Sequence, residues 1–338
     1  MQLSWSVKQI IPKYAFKIAR SVETCNDVVI VSMQDEEFTG LGEAAPSTRY
    51  ESGAAHILEL LAALQPDLEQ LPLADAELRQ AQLEALIPDS YALQAALDSA
   101  CWDLYGKQQG RPLYELFGSA PTMVPSTYTI GISDLDQIPE KLREAEAYPL
   151  LKIKLGTDYD REIMRVIRAH TDKVLRVDVN EGWTTLDQAR RGLEWLAGEN
   201  VEFLEQPMPA AQLEDTAALR VESPIPIVAD ENSVRPEDVP GLVGAFDGIN
   251  IKLMKCGGLT NARKMIDLAQ AHDLDIMMGC NLETSIGVTA MGHLGSFARW
   301  LDLDGNVLLS NDPYIGMRNE AGVLILGDEP GLGVRERK

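Results

Sequence analysis

The chain is poor in the residues from which most zinc, redox and nucleic-acid sites are built. It has only four cysteines and four histidines among 338 residues. Cys25, Cys101, Cys256 and Cys280 lie far apart, with no C-x-x-C pair. That removes the common zinc and thiol-redox motifs and reads as scattered buried thiols of a reducing compartment. His56, His170, His272 and His293 are equally dispersed, with no H-x-x-x-H or H-E-x-x-H, so each reads as structural. Basic residues are also scarce: 30 Lys and Arg face 52 Asp and Glu, a net charge of −22. Phosphate backbones and anionic membranes both need clustered cations, so nucleic acid and membrane surfaces are excluded as partners. The surplus acid serves solubility or attracts cations, a metal or a cationic substrate. No apolar run reaches the roughly 18 residues of a membrane span. The opening Met1-Gln-Leu-Ser-Trp-Ser is not a basic stretch leading into an apolar one, so a cytoplasmic location is expected. Neither G-x-x-x-x-G-K-[ST] nor a G-x-G-x-x-G after a first strand occurs, which argues against the common nucleotide-binding loops.

The composition that remains, 45% hydrophobic and 24% charged, is that of an ordinary globular protein, and the length suits two domains. Residues 1–50 read as β: Val28-Val-Ile-Val-Ser is a β-branched run that Gly40-Leu-Gly-Glu-Ala-Ala-Pro then punctuates. Residues 51–118 read as helical, with apolar positions at helical spacing over Ala54–Leu64 and again over Ser90–Tyr105. Strands followed by helices make a small α+β domain, and Gly118–Pro125 reads as a linker. From there short apolar runs alternate with amphipathic segments. The runs are Pro125–Ile130, Leu150–Leu155, Val174–Val179, Val201–Leu204, Pro226–Ala229, Gly248–Leu253 and Asp275–Met278, with Leu301–Leu309 as an eighth. Repeated β-α implies a parallel sheet, and eight strands fit a (β/α)8-type barrel; an open doubly wound sheet is the structural alternative.

The last residues of the runs are the informative ones. Lys152-Ile-Lys154, Asp178, Glu205, Asp230 and Lys252 stand at successive run ends, each about one βα unit from the next. In a barrel those ends converge on one mouth. Three carboxylates in one mouth repel unless a cation joins them, and an all-oxygen donor set suits Mg²⁺. Strand order puts Lys154 and Lys252 on opposite sides of that cluster. A substrate carboxylate on the metal makes its α-hydrogen more acidic and the metal stabilises the enediolate that forms. One lysine can then take the proton from one face and the other return it to the opposite face.

With these residues in view, the chain resembles the enolase superfamily, muconate lactonising subgroup, over nearly its whole length. Gly42-Glu-Ala-Ala-Pro, Ala96-Leu-Asp-Ser-Ala-Cys-Trp-Asp-Leu and the strand-end residues carry the resemblance. It implies a modified (β/α)7β TIM-like barrel with an N-terminal α+β capping domain: cap 1–120, barrel 121–316 and a C-terminal segment 317–338 returning to the cap. A Lys base with Mg²⁺ and an ene-diolate is the general pattern of this superfamily. By matching motif, Asp178, Glu205 and Asp230 are the expected ligands of one Mg²⁺, and Lys154 and Lys252 the acid/base pair. Lys152 is expected to position the substrate carboxylate and tune Lys154.

Leu301-Asp302-Leu303-Asp304-Gly305 looks like the D-x-D of dipeptide epimerases, where two aspartates hold the α-ammonium group. Residues i and i+2 of a strand share a face, so both can reach one cation. Glu283, Thr284 and Ser285 are expected to line the pocket. The resemblance thus implies a Mg-dependent isomerase, an epimerase inverting the C-terminal residue of an L-Ala-X dipeptide by two-base 1,1-proton transfer, with a homo-oligomer, common for such barrels, as the partner expectation. Other enzymes of the subgroup, a cycloisomerase or o-succinylbenzoate synthase, are the alternative, though their substrates carry no ammonium group for Asp302 and Asp304. A metal-binding scaffold without activity is a third reading. Phe16–Glu23 matches the family's mobile substrate loop. Ala-Glu epimerases resembling this chain carry an arginine three residues beyond Arg20 that pairs with the substrate glutamate; here that position is Glu23. A carboxylate there repels glutamate and attracts Lys or Arg, with Arg20 as the other anion partner, so X stands open between glutamate, cationic and broad.

Overall fold

The computed structural model describes residues 1–50 and 53–338; the helical reading began at residue 51, so Glu51 and Ser52 lie outside the described residues. The cap opens with β1 (Gln2–Ile10), a short hairpin of β2 (Phe16–Ile18) and β3 (Ser21–Glu23), then β4 (Asn26–Asp35) and β5 (Phe38–Ala44). β4 is the centre of the antiparallel sheet β1-β4-β5, and its run Val28–Val31 is buried on both faces, which is why it reads as continuous rather than alternating. Helices α1 (Ala54–Leu68), α2 (Ala76–Leu86), α3 (Tyr91–Gln109) and α4 (Leu113–Leu116) cover it.

The glycines of Gly40-Leu-Gly have a packing reason. A β-carbon on Gly40 would sit 2.0 Å from the Ala100 carbonyl oxygen, and one on Gly42 would sit 1.8 Å from that of Ala96. Helix α3 therefore lies directly on the β5 backbone, closer than any side chain permits. Asp103 of α3 fastens the contact by accepting from the Leu41 amide at 2.8 Å and the Leu332 amide at 2.7 Å.

The barrel strands are β6 (Tyr128–Ile130), β7 (Leu150–Lys154), β8 (Val174–Asp178), β9 (Val201–Glu205), β10 (Ile227–Ala229), β11 (Gly248–Ile251), β12 (Asp275–Gly279) and β13 (Trp300–Asp302). They pair in parallel and in chain order. A parallel bridge from Ser126 to Leu301 joins the first strand's approach to the last, and the Leu303 amide donates to Ser126 Oγ at 2.8 Å. The open-sheet alternative is thereby set aside. Helices α5 (Ile138–Glu144), α6 (Asp160–Arg168), α7 (Leu186–Leu196), α8 (Leu213–Glu222), α9 (Leu253–Cys256), α10 (Leu259–Ala271) and α11 (Ser285–Gly292) fill most crossovers. Between β10 and β11 the connection is a 3₁₀ helix, Pro236–Leu242, with Pro240 inside it. Seven crossovers and a final strand make a (β/α)7β barrel.

The side-chain period of two places Phe203 below Glu205, Val228 below Asp230 and Arg176 below Asp178 on the inward face. Phe203, Val228, Met277 and Trp300 form a separate buried apolar cluster, so the barrel is packed beneath its carboxylates. β14 (Tyr314–Ile315), β15 (Arg318–Glu320), β16 (Val323–Ile325) and β17 (Arg335–Glu336) complete the chain. β17 pairs with β14, Lys8 of the cap lies 3.4 Å from Glu336, and the Leu113 amide donates to the Gly331 carbonyl at 3.1 Å.

Two expectations need correction here. The eighth strand, expected within Leu301–Leu309, is Trp300–Asp302. Asp304 lies past its end, so the shared-face argument for Asp302 and Asp304 does not apply. The thiols are also not uniformly buried: Cys101 and Cys256 are, Cys280 is half-buried and Cys25 is exposed. No helix among the described residues is long and apolar enough to cross a membrane.

Candidate active site

Asp178 ends β8 and Glu205 ends β9. Asp230 follows β10 directly. One oxygen of each can be chosen so that all three lie within 4.8 Å of one another, and all three residues are buried. Each is held from behind. Asp178 accepts from the Asn180 amide at 2.9 Å, Glu205 Oε1 from Asn250 Nδ2 at 2.7 Å, and Asp230 Oδ1 from Lys255 Nζ at 2.6 Å. The backbone after two of them is turned sharply, with positive φ at Asn180, Glu181 and Gln206.

The two lysines flank this cluster. Lys154 Nζ lies 2.6 Å from Asp178 Oδ2, and Lys252 Nζ lies 2.9 Å from Asp230 Oδ2. They contact the outer carboxylates because β7 and β11 lie on either side of β8, β9 and β10 in the sheet. Lys252 is not in a strand: β11 stops at Ile251, and Lys252 is the residue before α9. Burial alone pulls the Lys252 ammonium down, but Asp230 and its fellow carboxylates outweigh it and hold the ammonium above its ordinary value.

The three acids are not equivalent. Burial raises each, but Lys154 and Lys152 bring Asp178 below its ordinary value, and Lys252 and Lys255 take Asp230 well below. Glu205 ends raised, by burial first and then by Asp178. Its Oε2 is buried without a hydrogen-bond donor, although Lys152 Nζ stands 2.7 Å away. A fixed oxygen-only triad whose middle carboxyl stays raised even beside Lys152 has the chemistry of a Mg²⁺ site.

Lys152 is less free than expected. Its ammonium is almost fully buried, with Glu205 Oε2 at 2.7 Å, Asp302 Oδ2 at 2.6 Å and Asp178 Oδ2 at 3.4 Å, and it bridges the triad to the D-x-D pair instead of facing the pocket. Asp302 is further fixed by Thr127 Oγ1 at 2.5 Å, and Asp304 accepts from the Thr129 amide at 2.6 Å. Their environments differ. Burial raises Asp302, but Lys152 and Lys154 outweigh it and hold it at about 2. Burial and the Asp302 charge push Asp304 up to about 7.

A pocket of about 300 Å³ opens over these groups, walled by Lys154, Lys252, Asp230, Asp302 and Asp304 from the barrel and by Phe16, Ile18, Arg20 and Glu23 from the cap hairpin. Glu23 is thus part of the wall, and burial raises its carboxyl against the opposing effect of Arg20. Arg20 is committed to the barrel, 2.6 Å from Glu231 Oε1. The expectation for Glu283, Thr284 and Ser285 is corrected. Cys280, Asn281 and Leu282 line the pocket, and the next three residues turn away. Thr284 Oγ1 donates to Glu43 at 2.6 Å and Ser285 Oγ to Asp312 at 2.6 Å. Glu283 accepts from the Asn281 amide and is pushed up to about 8 by burial and by Glu43. The start of α11 at Ser285 causes this turn.

Sequence reasoning missed Lys255, Asn250, Thr127 and Thr129. Lys255 carries no distinguishing local signal. Asn250 and Lys252 alternate along one run, and Thr129 shares a face with Thr127, so inward-facing polar residues on barrel strands were the usable clue.

A (β/α)7β barrel with an acidic triad between two lysines defines the class: an enzyme acting on a carboxylate with a divalent cation. Residues 136–337 match the family model described as enolase C-terminal domain-like, and residues 5–118 match that of the mandelate racemase / muconate lactonizing enzyme N-terminal domain. The chain belongs to this family, in its muconate lactonising, dipeptide epimerase branch. It is 36% identical to an L-Ala-D/L-amino acid epimerase of Pedosphaera parvula, over 100% of this chain and 99% of that protein. It is also 36% identical to an L-Ala-D/L-Glu epimerase of Bacteroides thetaiotaomicron, over 99% and 88%. A crystal structure of a dipeptide epimerase from Enterococcus faecalis V583, complexed with Mg and L-Leu-L-Tyr, superposes with a TM-score of 0.92 at 32% identity over 98% of both chains.

Proposed function

We propose that this chain is a magnesium-dependent dipeptide epimerase that inverts the α-carbon of the C-terminal residue of an L-Ala-X type dipeptide. The observation that carries the reading is the placement of Lys154 and Lys252 against opposite ends of the acidic triad, in one pocket with Asp302 and Asp304. Asp178, Glu205 and Asp230 hold the cation. Bound there, Mg²⁺ acidifies the α-hydrogen of a carboxylate ligand and stabilises the charge left behind.

Asp302 and Asp304 receive the α-ammonium group, which sets the dipeptide's direction in the pocket. The α-carbon of the second residue then lies between the lysines. One lysine, as the free amine, takes the α-proton from its face, and the other, as ammonium, delivers a proton to the opposite face. The Cα–H bond breaks on one side and a new one forms on the other, so configuration inverts with no net loss of a proton. The two lysines exchange roles for the two epimers.

Glu23 in the wall favours a cationic or neutral side chain at X over glutamate, since a half-buried carboxylate beside a second carboxylate is costly. The test is a panel of L-Ala-L-X dipeptides incubated with enzyme and Mg²⁺ in D₂O and followed by mass. A one-dalton gain at the C-terminal α-carbon with appearance of the epimer is expected. Absence of α-exchange with every dipeptide refutes the reading, and preference for L-Ala-L-Glu over L-Ala-L-Lys by orders of magnitude refutes the part assigned to Glu23.

A further inference from the structure

Two arginines of the cap meet two carboxylates of the barrel at the rim of the pocket. Arg20, in the turn between β2 and β3, places Nη1 2.6 Å from Glu231 Oε1 and 3.7 Å from Glu181 Oε2, and donates to the Asn180 carbonyl at 3.2 Å. Arg49, in the segment after β5, donates to Glu181 through Nε at 3.2 Å and Nη2 at 3.1 Å. Glu181 Oε1 also accepts from the Ala210 amide at 2.9 Å. The acceptors sit on the segments that follow the triad: Asn180 and Glu181 come shortly after Asp178, and Glu231 comes directly after Asp230.

The geometry is one-sided in a telling way. The Glu231 side chain is fully buried, yet the arginine opposite it is 30% exposed. The barrel carboxylate thus takes its nearest cation from the cap, and the guanidinium that lines the pocket wall is at the same time tied to the barrel. The hairpin has a second anchor, the Ile132 amide donating to the Lys17 carbonyl at 2.9 Å. The hairpin is thus pinned at Lys17 within β2 and at Arg20 in the turn beyond it, while Phe16, Ile18 and Glu23 line the pocket.

We propose that Arg20 and Arg49 are positioning residues, a two-point clamp in which Arg20 holds the cap hairpin over the substrate through Glu231, Arg49 holds the segment after β5 through Glu181, and both brace the segments that follow Asp178 and Asp230. The proposal rests on the dipeptide reading for what the hairpin covers, but not for the clamp itself. Removing a buried carboxylate's nearest cation is unfavourable, because the charge left behind loses its closest compensation. The hairpin is therefore expected to open when Arg20 is lost.

The experiment compares the full chain with its Arg20→Met, Arg20→Lys and Arg49→Met variants by amide hydrogen exchange and by kinetics. Arg20→Met is expected to speed exchange across residues 16–23 by about tenfold or more, as a local opening does, while β4 keeps its protection. Arg20→Lys, which retains the charge but not the second contact, is expected to restore part of that protection. Catalytic efficiency should fall by a similar factor for cationic, neutral and anionic dipeptides, mainly through KM. Unchanged exchange of residues 16–23 in Arg20→Met, or of residues 45–50 in Arg49→Met, overturns the clamp. So does exchange that rises equally in β4, or activity lost toward L-Ala-L-Glu alone, which would make Arg20 a substrate contact. If the unaltered chain turns over no dipeptide, the functional reading fails while the exchange comparison still decides the clamp.

Discussion

The pH dependence of substrate capture puts the most specific demand on this site. Asp304 must be ionised to hold an ammonium group, yet burial and the neighbouring Asp302 push its carboxyl up to about 7 in the free enzyme. The sign is that of a raised acid: the charge is present above about 7 and lost as pH falls through it. One pH unit below that point only about a tenth of the enzyme carries the charge, so kcat/KM should fall about tenfold per unit, equivalent to about 1.4 kcal/mol. A bound ammonium favours the ionised form, so kcat, which reports the complex, should stay flat to lower pH than kcat/KM does. Asp302, held at about 2 chiefly by Lys152 against its burial, contributes no limb in this range. The assay is initial-rate epimerisation at saturating Mg²⁺ from pH 5.5 to 8.5, for the unaltered chain and for Asp304→Asn. The variant should lose affinity and also lose the limb near 7. A flat kcat/KM in the unaltered chain, or a limb that survives in Asp304→Asn, refutes the reasoning and moves the titration to another group.

Three further outcomes are expected. Lys252→Ala should lower epimerisation by about 10²–10⁴-fold while α-deuterium exchange persists from only one epimer; exchange retained with both epimers would defeat the two-base scheme. Glu205→Gln should raise the melting temperature of metal-free enzyme, because burial and Asp178 already raise this carboxyl, and should abolish the rise that Mg²⁺ gives the parent, about 2.7 kcal/mol at a hundredfold excess over Kd. An undiminished Mg²⁺ response would remove Glu205 from the ligand set. Gly42→Ala, whose β-carbon would meet the Ala96 carbonyl oxygen at 1.8 Å, should destabilise the protein by roughly 1–3 kcal/mol in chemical denaturation, and a neutral result would mean that α3 can lift from β5 at no cost.

What could be read from the chain was whatever local pattern controls. The βα period placed Lys154, Asp178, Glu205, Asp230 and Lys252 at successive strand ends, and strand ends in a barrel can only meet at one mouth. Chemistry followed from residue type: three carboxylates brought together demand a cation. The β-branched run of β4 and the glycines of β5 were likewise visible, although the reason for the glycines, a helix lying on the strand, was not.

Only the tertiary structure decided which charge each group answers to. Lys152 was expected to position substrate; the fold also pairs it at 2.6 Å with Asp302, 150 residues away in the chain. Arg20 and Glu23 lie three positions apart in one hairpin and both line the pocket, yet only Arg20 is tied to the barrel, through Glu231. Asp302 and Asp304 share a motif but are shifted in opposite directions, Asp302 down by Lys152 and Lys154 against its burial and Asp304 up by burial and the Asp302 charge. Electrostatic energy depends on distance and burial, not on separation along the chain, so the sequence determined which charges the mouth contains and the fold determined how they are paired.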